Sequence, residues 1–228
     1  MTDAGKLALV LLCGTAGVAQ QRTISARAGT INYQQGTVYV DDQPVHSRYG
    51  LAPLQMKNDQ RLRVDNGRVE LLLGSGVYLR MLGLGSIRMQ ETHLDDTRVL
   101  VENGSVLIEV AGMNKGAQLR IVCGEFTTVL QHDGLYRFDA AVVATMGKLR
   151  IYKGDAVVER EGISVKGRSG LAVDLADGLE VSKFDLRESD ALQAWAARRS
   201  QRRIDSERRR VESRELQAAK RKAQMEAQ

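Results

Sequence analysis

Apolar residues in this chain come in short β-type runs separated by polar, glycine-bearing turns, and one such unit recurs. It is clearest at 97–112, TRVLVENGSVLIEVAG, where the runs 99–101 and 106–110 flank Glu102-Asn103-Gly104-Ser105. Valine, leucine and isoleucine suit a pleated, half-buried surface. Asn-Gly supplies positive φ at little steric cost and so marks a tight turn between strands. Related units lie at 29–40 (GTINYQQGTVYV), 67–81 (GRVELLLGSGVYLRM), 126–139 (FTTVLQHDGLYRFD) and 149–159 (LRIYKGDAVVE). Their turn glycines are Gly36, Gly76, Gly104, Gly134 and Gly154. The spacings of 40, 28, 30 and 20 are too irregular for a strict solenoid repeat, yet they describe one supersecondary idea used several times.

Between these units, Asp65-Asn66-Gly67 and 83–86 read as further turns, and Asp41-Asp42 with Pro44 ends the first hairpin. Residues 163–165 and 171–175 close the β part, and 140–145 is an Ala-rich strand or short helical turn. The pattern then changes. No glycine or proline follows Gly178, and alanine, arginine, glutamate, glutamine and lysine dominate 187–228, all good helix formers. Asp185 with Glu188 resembles a capping box, and Ser189 is a second N-cap candidate. Leu192, Trp195 and Ala196 form a short apolar face that docks the first three turns on the β part. Beyond them only Ile204, Val211 and Ala218 recur, at a spacing of 7. That seam is too thin for a coiled coil, so the rest of the helix is expected to project into solvent. The expected fold is all-β, twisted and β-solenoid- or sandwich-like, over residues 20–186, with a basic α-helical tail over 187–228.

Composition sharpens this picture at two places. Aromatics make up only 4% of the chain, so aliphatic packing must fill the core. The net charge of +5 is localised: residues 187–228 hold 12 basic and 7 acidic side chains, and the remainder holds 21 of each. At the other end, Lys6 precedes the apolar run 7–19, LALVLLCGTAGVA, whose 13 residues fall short of the ~20 a spanning helix needs. Small residues at Gly17 and Ala19 complete a secretory signal pattern with cleavage after Ala19. Residues 1–19 are therefore expected to be a signal peptide, and the mature chain to be periplasmic or secreted. Cys13 falls within that segment, and Cys123, in LRIVCGEF, reads as a small buried side chain.

Chemistry-bearing patterns are sparse. Cys123 with His46, His93 or His132 would be a nucleophile and base pair, but a cysteine in an apolar strand is ordinarily core. His93-Leu94-Asp95-Asp96 and His132-Asp133 place ligand types together, short of the three or four converging ligands a metal needs. The Gly-rich stretches 74–76 and 83–85 lack the following helix that a nucleotide loop requires. No catalytic residue, metal or cofactor is assigned. The arginines Arg198, Arg199, Arg202, Arg203, Arg208, Arg209, Arg210 and Arg214 are the candidate binding set. In an exported protein their anionic counterpart is an envelope or cell-wall polyanion rather than nucleic acid.

Residues 64–140 resemble the FecR-type domain. The places that carry the resemblance are Gly74 to Gly76, Ser86, the strand from Gly104 to Val110, Thr127-Thr128, and Gly134 to Phe138. The resemblance implies an extracytoplasmic bacterial β domain that acts by binding. In the signalling members of that family, the domain receives a signal from an outer-membrane transporter and passes it to an anti-sigma segment at the inner membrane. A basic helix stands here where signalling members carry a second small domain. The expected function is a non-catalytic, exported FecR-like binding or structural module of the cell envelope, with a protein or polyanion as partner. A FecR-type sigma-factor regulator is the alternative, and a carbohydrate-active or other envelope enzyme with its site in the strand-turn loops is the second alternative.

Overall fold

The computed structural model describes residues 28–46, 53–140, 147–176 and 178–226. The expected signal segment, the loop 47–52 and all but the first residue of the Ala-rich stretch 140–145 lie outside them. The elements in chain order are β1 (Thr30–Val40), β2 (Gln43–Pro44), β3 (Arg61–Gly74), β4 (Val77–Leu82), β5 (Gly85–His93), β6 (Asp96–Asn103), β7 (Ser105–Val110), β8 (Gln118–Cys123), β9 (Phe126–Leu130), β10 (Gly134–Asp139), β11 (Gly147–Lys153), β12 (Asp155–Arg160), β13 (Ile163–Arg168), β14 (Leu171–Leu175), β15 (Val181–Lys183) and α1 (Ala191–Glu226). The fold is all-β with a C-terminal helix.

One sheet runs in the order β13-β12-β9-β8-β6-β5-β3-β4-β7-β10-β11-β14-β15, with β1 beside β3 and β2 beside β1. The pairing of β6 with β8 is parallel and the other pairings are antiparallel. The sheet folds over at β3. Its first part pairs with β5, its second part pairs with β4, and β1 accompanies both. Two arms result, and their inner faces share one aliphatic core that includes Val69, Leu79, Ile87, Val99, Ile108, Ile121 and Leu149. At the far end the arms nearly close. A Cβ on Gly167 of β13 would lie 2.5 Å from Ile151 of β11 and 3.4 Å from Val173 of β14.

The expected tight turn between strands is there, with Gly104 at φ 80 between β6 and β7, and the topology adds what it joins. Asn103-Gly104 does not pair the strands it joins. β6 pairs with β5 and β8, while β7 pairs with β4 and β10. The turn is a corner that carries the chain from one arm to the other. The corners at Gly134, between β9 and β10, and at Gly154, between β11 and β12, work the same way. Of the five turn glycines, Gly76 closes a hairpin, β3 with β4. Gly36 lies inside β1, and the supposed turn 65–67 lies inside β3. Gly36 and Gly67 are direct cross-strand partners. A Cβ on the first would meet the Asn66 carbonyl at 2.2 Å, and on the second the Gln35 carbonyl at 2.1 Å. Both strands can therefore bend together there only with glycine at both positions. Positive φ ends or bends a strand locally, but it does not choose a partner; burial on the inner face does.

The start of α1 is also different from expectation. Asp190, not Asp185 or Ser189, is the N-cap: its Oδ1 accepts the Gln193 backbone N–H at 3.0 Å, and Gln193 Oε1 accepts the Asp190 N–H at 3.1 Å. That reciprocal pair is the capping box itself. Asp185 instead accepts the Arg187 backbone N–H at 2.9 Å in a local turn before the helix. The short strand β15, after the last expected strand at 171–175 but within the expected β part, adds an edge partner to β14.

Candidate functional site

The outer face of one arm is where charge and helix meet. Alternation along β3, β4, β7 and β10 sends Val69, Leu79, Ile108 and Tyr136 inward. The same alternation sends Glu70, Arg80, Leu107, Glu109 and Leu135 to the opposite side. Helix α1 lies across that side. Leu192, Trp195 and Ala196 bury themselves against Leu107, with Tyr33, Leu82 and Leu135 around them. The Trp195 and Tyr33 rings are 6.1 Å apart, and the Arg68 guanidinium sits 5.8 Å from the Trp195 ring. Such contacts add to area burial.

Under the next turns lies a chain of alternating charges. Glu70 and Arg80 are direct cross-strand neighbours and are only 2% and 1% exposed. Arg80 Nε donates to Glu70 Oε2 at 2.6 Å, and its Nη1 donates to Glu109 Oε2 at 2.7 Å. The helix completes both carboxylates. Arg199 Nη2 donates to Glu70 Oε1 at 2.5 Å, and Arg203 Nη2 donates to Glu109 Oε1 at 2.9 Å. Asn32 Nδ2 donates to Glu70 at 2.7 Å, and the Ser200 hydroxyl donates to Glu109. The order Arg199, Glu70, Arg80, Glu109, Arg203 leaves no buried carboxylate without a cation. At the helix start, Arg137 of β10 pairs with Asp190 and, at 2.8 Å, with Asp139.

The titration of these groups follows. Burial raises the Glu70 carboxyl, but the Arg199 and Arg80 guanidiniums outweigh it and hold it below the usual carboxylate range. Glu109 is likewise lowered: burial opposes, and Ser200, Arg80 and Arg203 prevail. Asp190 is lowered too, with burial opposing and the Gln193 N–H and Arg137 prevailing. All three are anions at neutral pH. A buried network of this kind penalises mis-seating, because a helix one turn out of register leaves a carboxylate buried without its partner.

The eight sequence-selected arginines divide by position. Arg199 and Arg203 turn onto the sheet in the network just described. Arg198, Arg202, Arg208, Arg209, Arg210 and Arg214 are exposed. From Glu207 to Met225 every side chain is exposed, including Val211 at 52%, Leu216 at 57% and Met225 at 77%. Sequence reasoning missed Glu70, Arg80 and Glu109, since a charge at an outward strand position ordinarily meets water. One signal was available: Arg199 and Arg203 continue the i, i+3, i+4 row of Leu192, Trp195 and Ala196, which is one helix face.

The other chemistry-bearing residues stay apart from this site. Cys123 is buried in the core. His132 Nδ1 lies 3.3 Å from Asp155 Oδ2 with both side chains exposed, and His93 Nδ1 lies 4.0 Å from Asp95. Among the described residues no group of three or more histidines, cysteines or carboxylates is placed to hold a metal. No described helix is long and apolar enough to cross a membrane.

No family model and no curated protein matches the chain. It is similar to two solved structures, at 2.50 and 1.65 Å resolution, described as a "putative anti-sigma factor from Parabacteroides distasonis ATCC 8503". Identities are 14% and 13%, and the TM-score is 0.45 for each. The match covers 55% of this chain and 59% of each of those chains, so the chain spans less than two thirds of their length.

Proposed function

We propose that the chain is a non-catalytic binding module of the bacterial cell envelope, exported by its N-terminal segment, in which the β domain is a rigid mount for α1. The observation that supports this most is the division of the helix. Its first turns are locked to the sheet by Trp195 and the five-charge network, while residues 207–225 present basic and apolar side chains to solvent. An isolated helix of this composition is marginal in water. Anchoring its first half supplies the nucleus from which the exposed half extends, roughly 28 Å at 1.5 Å per residue. Exposed basic and apolar side chains on a pre-formed helix suit a protein partner or an envelope polyanion.

The test is a photo-crosslinker at Val211 in living cells, compared with one at Leu84, which is even more solvent-facing but lies on the β4–β5 corner. Discrete adducts from Val211 and none from Leu84 are expected. Identical adduct patterns, or none from either, would remove the helix as the binding element.

A signal-transducing regulator is the second reading, favoured by the FecR-type resemblance over 64–140. Those residues build the strands that carry Glu70, Arg80 and Glu109, so release of α1 from them would be the signal. Transcript profiles of a deletion strain test it: a change confined to one alternative-sigma regulon, with a transporter gene in it, is the expected result.

A further inference from the structure

Where α1 leaves the sheet, a cleft of about 430 Å³ opens between the helix and strands β1, β3 and β4. Its walls carry Tyr78, Arg202, Arg203, Ser206, Glu207 and Arg210, and its floor is the Glu70–Arg80 pair. The floor is already neutralised, since Glu70 is matched by Arg80 and Arg199. The walls are not. Arg202 and Arg210 have no carboxylate partner among the described residues, whereas Arg199 pairs with Glu70, and Arg203 with Glu109 and Glu207. Arg203 Nε is buried and lacks an acceptor. The Tyr78 hydroxyl stays protonated, because burial raises it above the usual phenol range, and the Arg203 guanidinium lies 4.9 Å from its ring. The cleft walls thus present a surplus of N–H and O–H donors over their carboxylate, Glu207, which is itself 3.6 Å from Arg203.

Donors in surplus around a partly enclosed space select an anion with several acceptor oxygens. Arg202 and Arg210 both line the cleft, ~12 Å apart along the helix axis, a gap that two arginine side chains can bridge by closing on a tetrahedral group. Arginine's planar fork is suited to phosphate oxygens. We propose that this cleft is a phosphate-binding site, with Arg202 and Arg210 as the clamp and Arg203 Nε and the Tyr78 hydroxyl as positioning donors. The site rests on its own donors. It does not depend on where the chain resides or on what Val211 touches, so it can fail while the binding-module reading stands, and the reverse.

The experiment titrates the full chain with inorganic phosphate at constant ionic strength, and in parallel with phosphatidylcholine vesicles containing or lacking phosphatidic acid. The variants are the double substitution Arg202→Gln/Arg210→Gln and the charge-matched double substitution Arg208→Gln/Arg209→Gln, at two exposed arginines that lie between them in sequence and do not line the cleft. The expected result is saturable phosphate binding in the parent, weakened at least about tenfold by the first pair, as for the loss of charge-assisted hydrogen bonds, and unchanged by the second. The same variant dependence seen only with phosphatidic acid vesicles would assign the phosphate to a lipid headgroup. No binding to either probe, or equal weakening by both pairs, would overturn the site, the latter because it means diffuse attraction to a basic helix. Tyr78→Phe adds an independent check on a side chain that carries no charge: it should weaken binding without changing the salt dependence.

Discussion

The two halves of α1 are built from nearly the same residues and behave differently. Both are rich in arginine, and neither has a continuous apolar stripe. Up to Arg203 the helix is held, and from Glu207 it is exposed. Two things distinguish them. The held half has one large aromatic, Trp195, and it lies over a sheet face whose charges are complementary to its own. An arginine on a surface helix is therefore neither a binding group nor a structural one by itself. It becomes structural when a buried carboxylate waits under it, because leaving that carboxylate unpaired costs far more than an exposed ion pair contributes.

The sharpest way to break the comparison is at the centre of the network. Arg80→Met leaves Glu70 and Glu109 buried without their shared cation and should cost about 3–5 kcal/mol in denaturant unfolding. Arg214→Met in the exposed half should stay within about 0.5 kcal/mol. Equal effects would mean the two halves are energetically alike. Next in size is Trp195→Ala, which removes a nearly fully buried ring and should loosen the docked half by about 3 kcal/mol. Trypsin cleavage after Arg199 would then speed up by roughly a hundredfold, whereas Val211→Ala should leave the cleavage pattern unchanged.

Acid should undo the held half selectively. Glu70, Glu109 and Asp190 are held below their usual range, so the stability they contribute is fully present above the unfolded carboxylate value of about 4. It is lost as pH falls through their lowered folded values. Trp195 is the chain's one tryptophan, so its emission should be steady from neutrality down to pH about 4 and shift to the red below that. A shift centred near neutrality would show that other groups hold the helix. A smaller effect belongs to the cap. Asp190→Ala removes an N-cap and the Arg137 pair and should cost about 1 kcal/mol, read as a modest rise in cleavage after Arg198. The smallest effect sharpens the other side: Leu216→Gln should leave both unfolding and cleavage within error, since Leu216 is more than half exposed.

The sequence alone determined the element types. Val, Leu and Ile at period 2 could only be half-buried strands, and a chain end without glycine or proline, rich in Ala, Arg and Glu, could only be helix. It also marked Leu192, Trp195 and Ala196 as a docking face, because a tryptophan among arginines has no other place to go. Tertiary structure alone decided the rest. Gly104 and Gly154 announce where strands end, yet whether a turn closes a hairpin or crosses between arms depends on which neighbour completes the core. That information lies in strands far away in sequence, such as β4 and β10 on either side of β7. Glu70, Arg80 and Glu109 were unreadable for the same reason. Alternation correctly put them on the outward face, but outward means solvent only if nothing lies on top. What lies on top arrives from well over a hundred residues later along the chain in the case of Glu70.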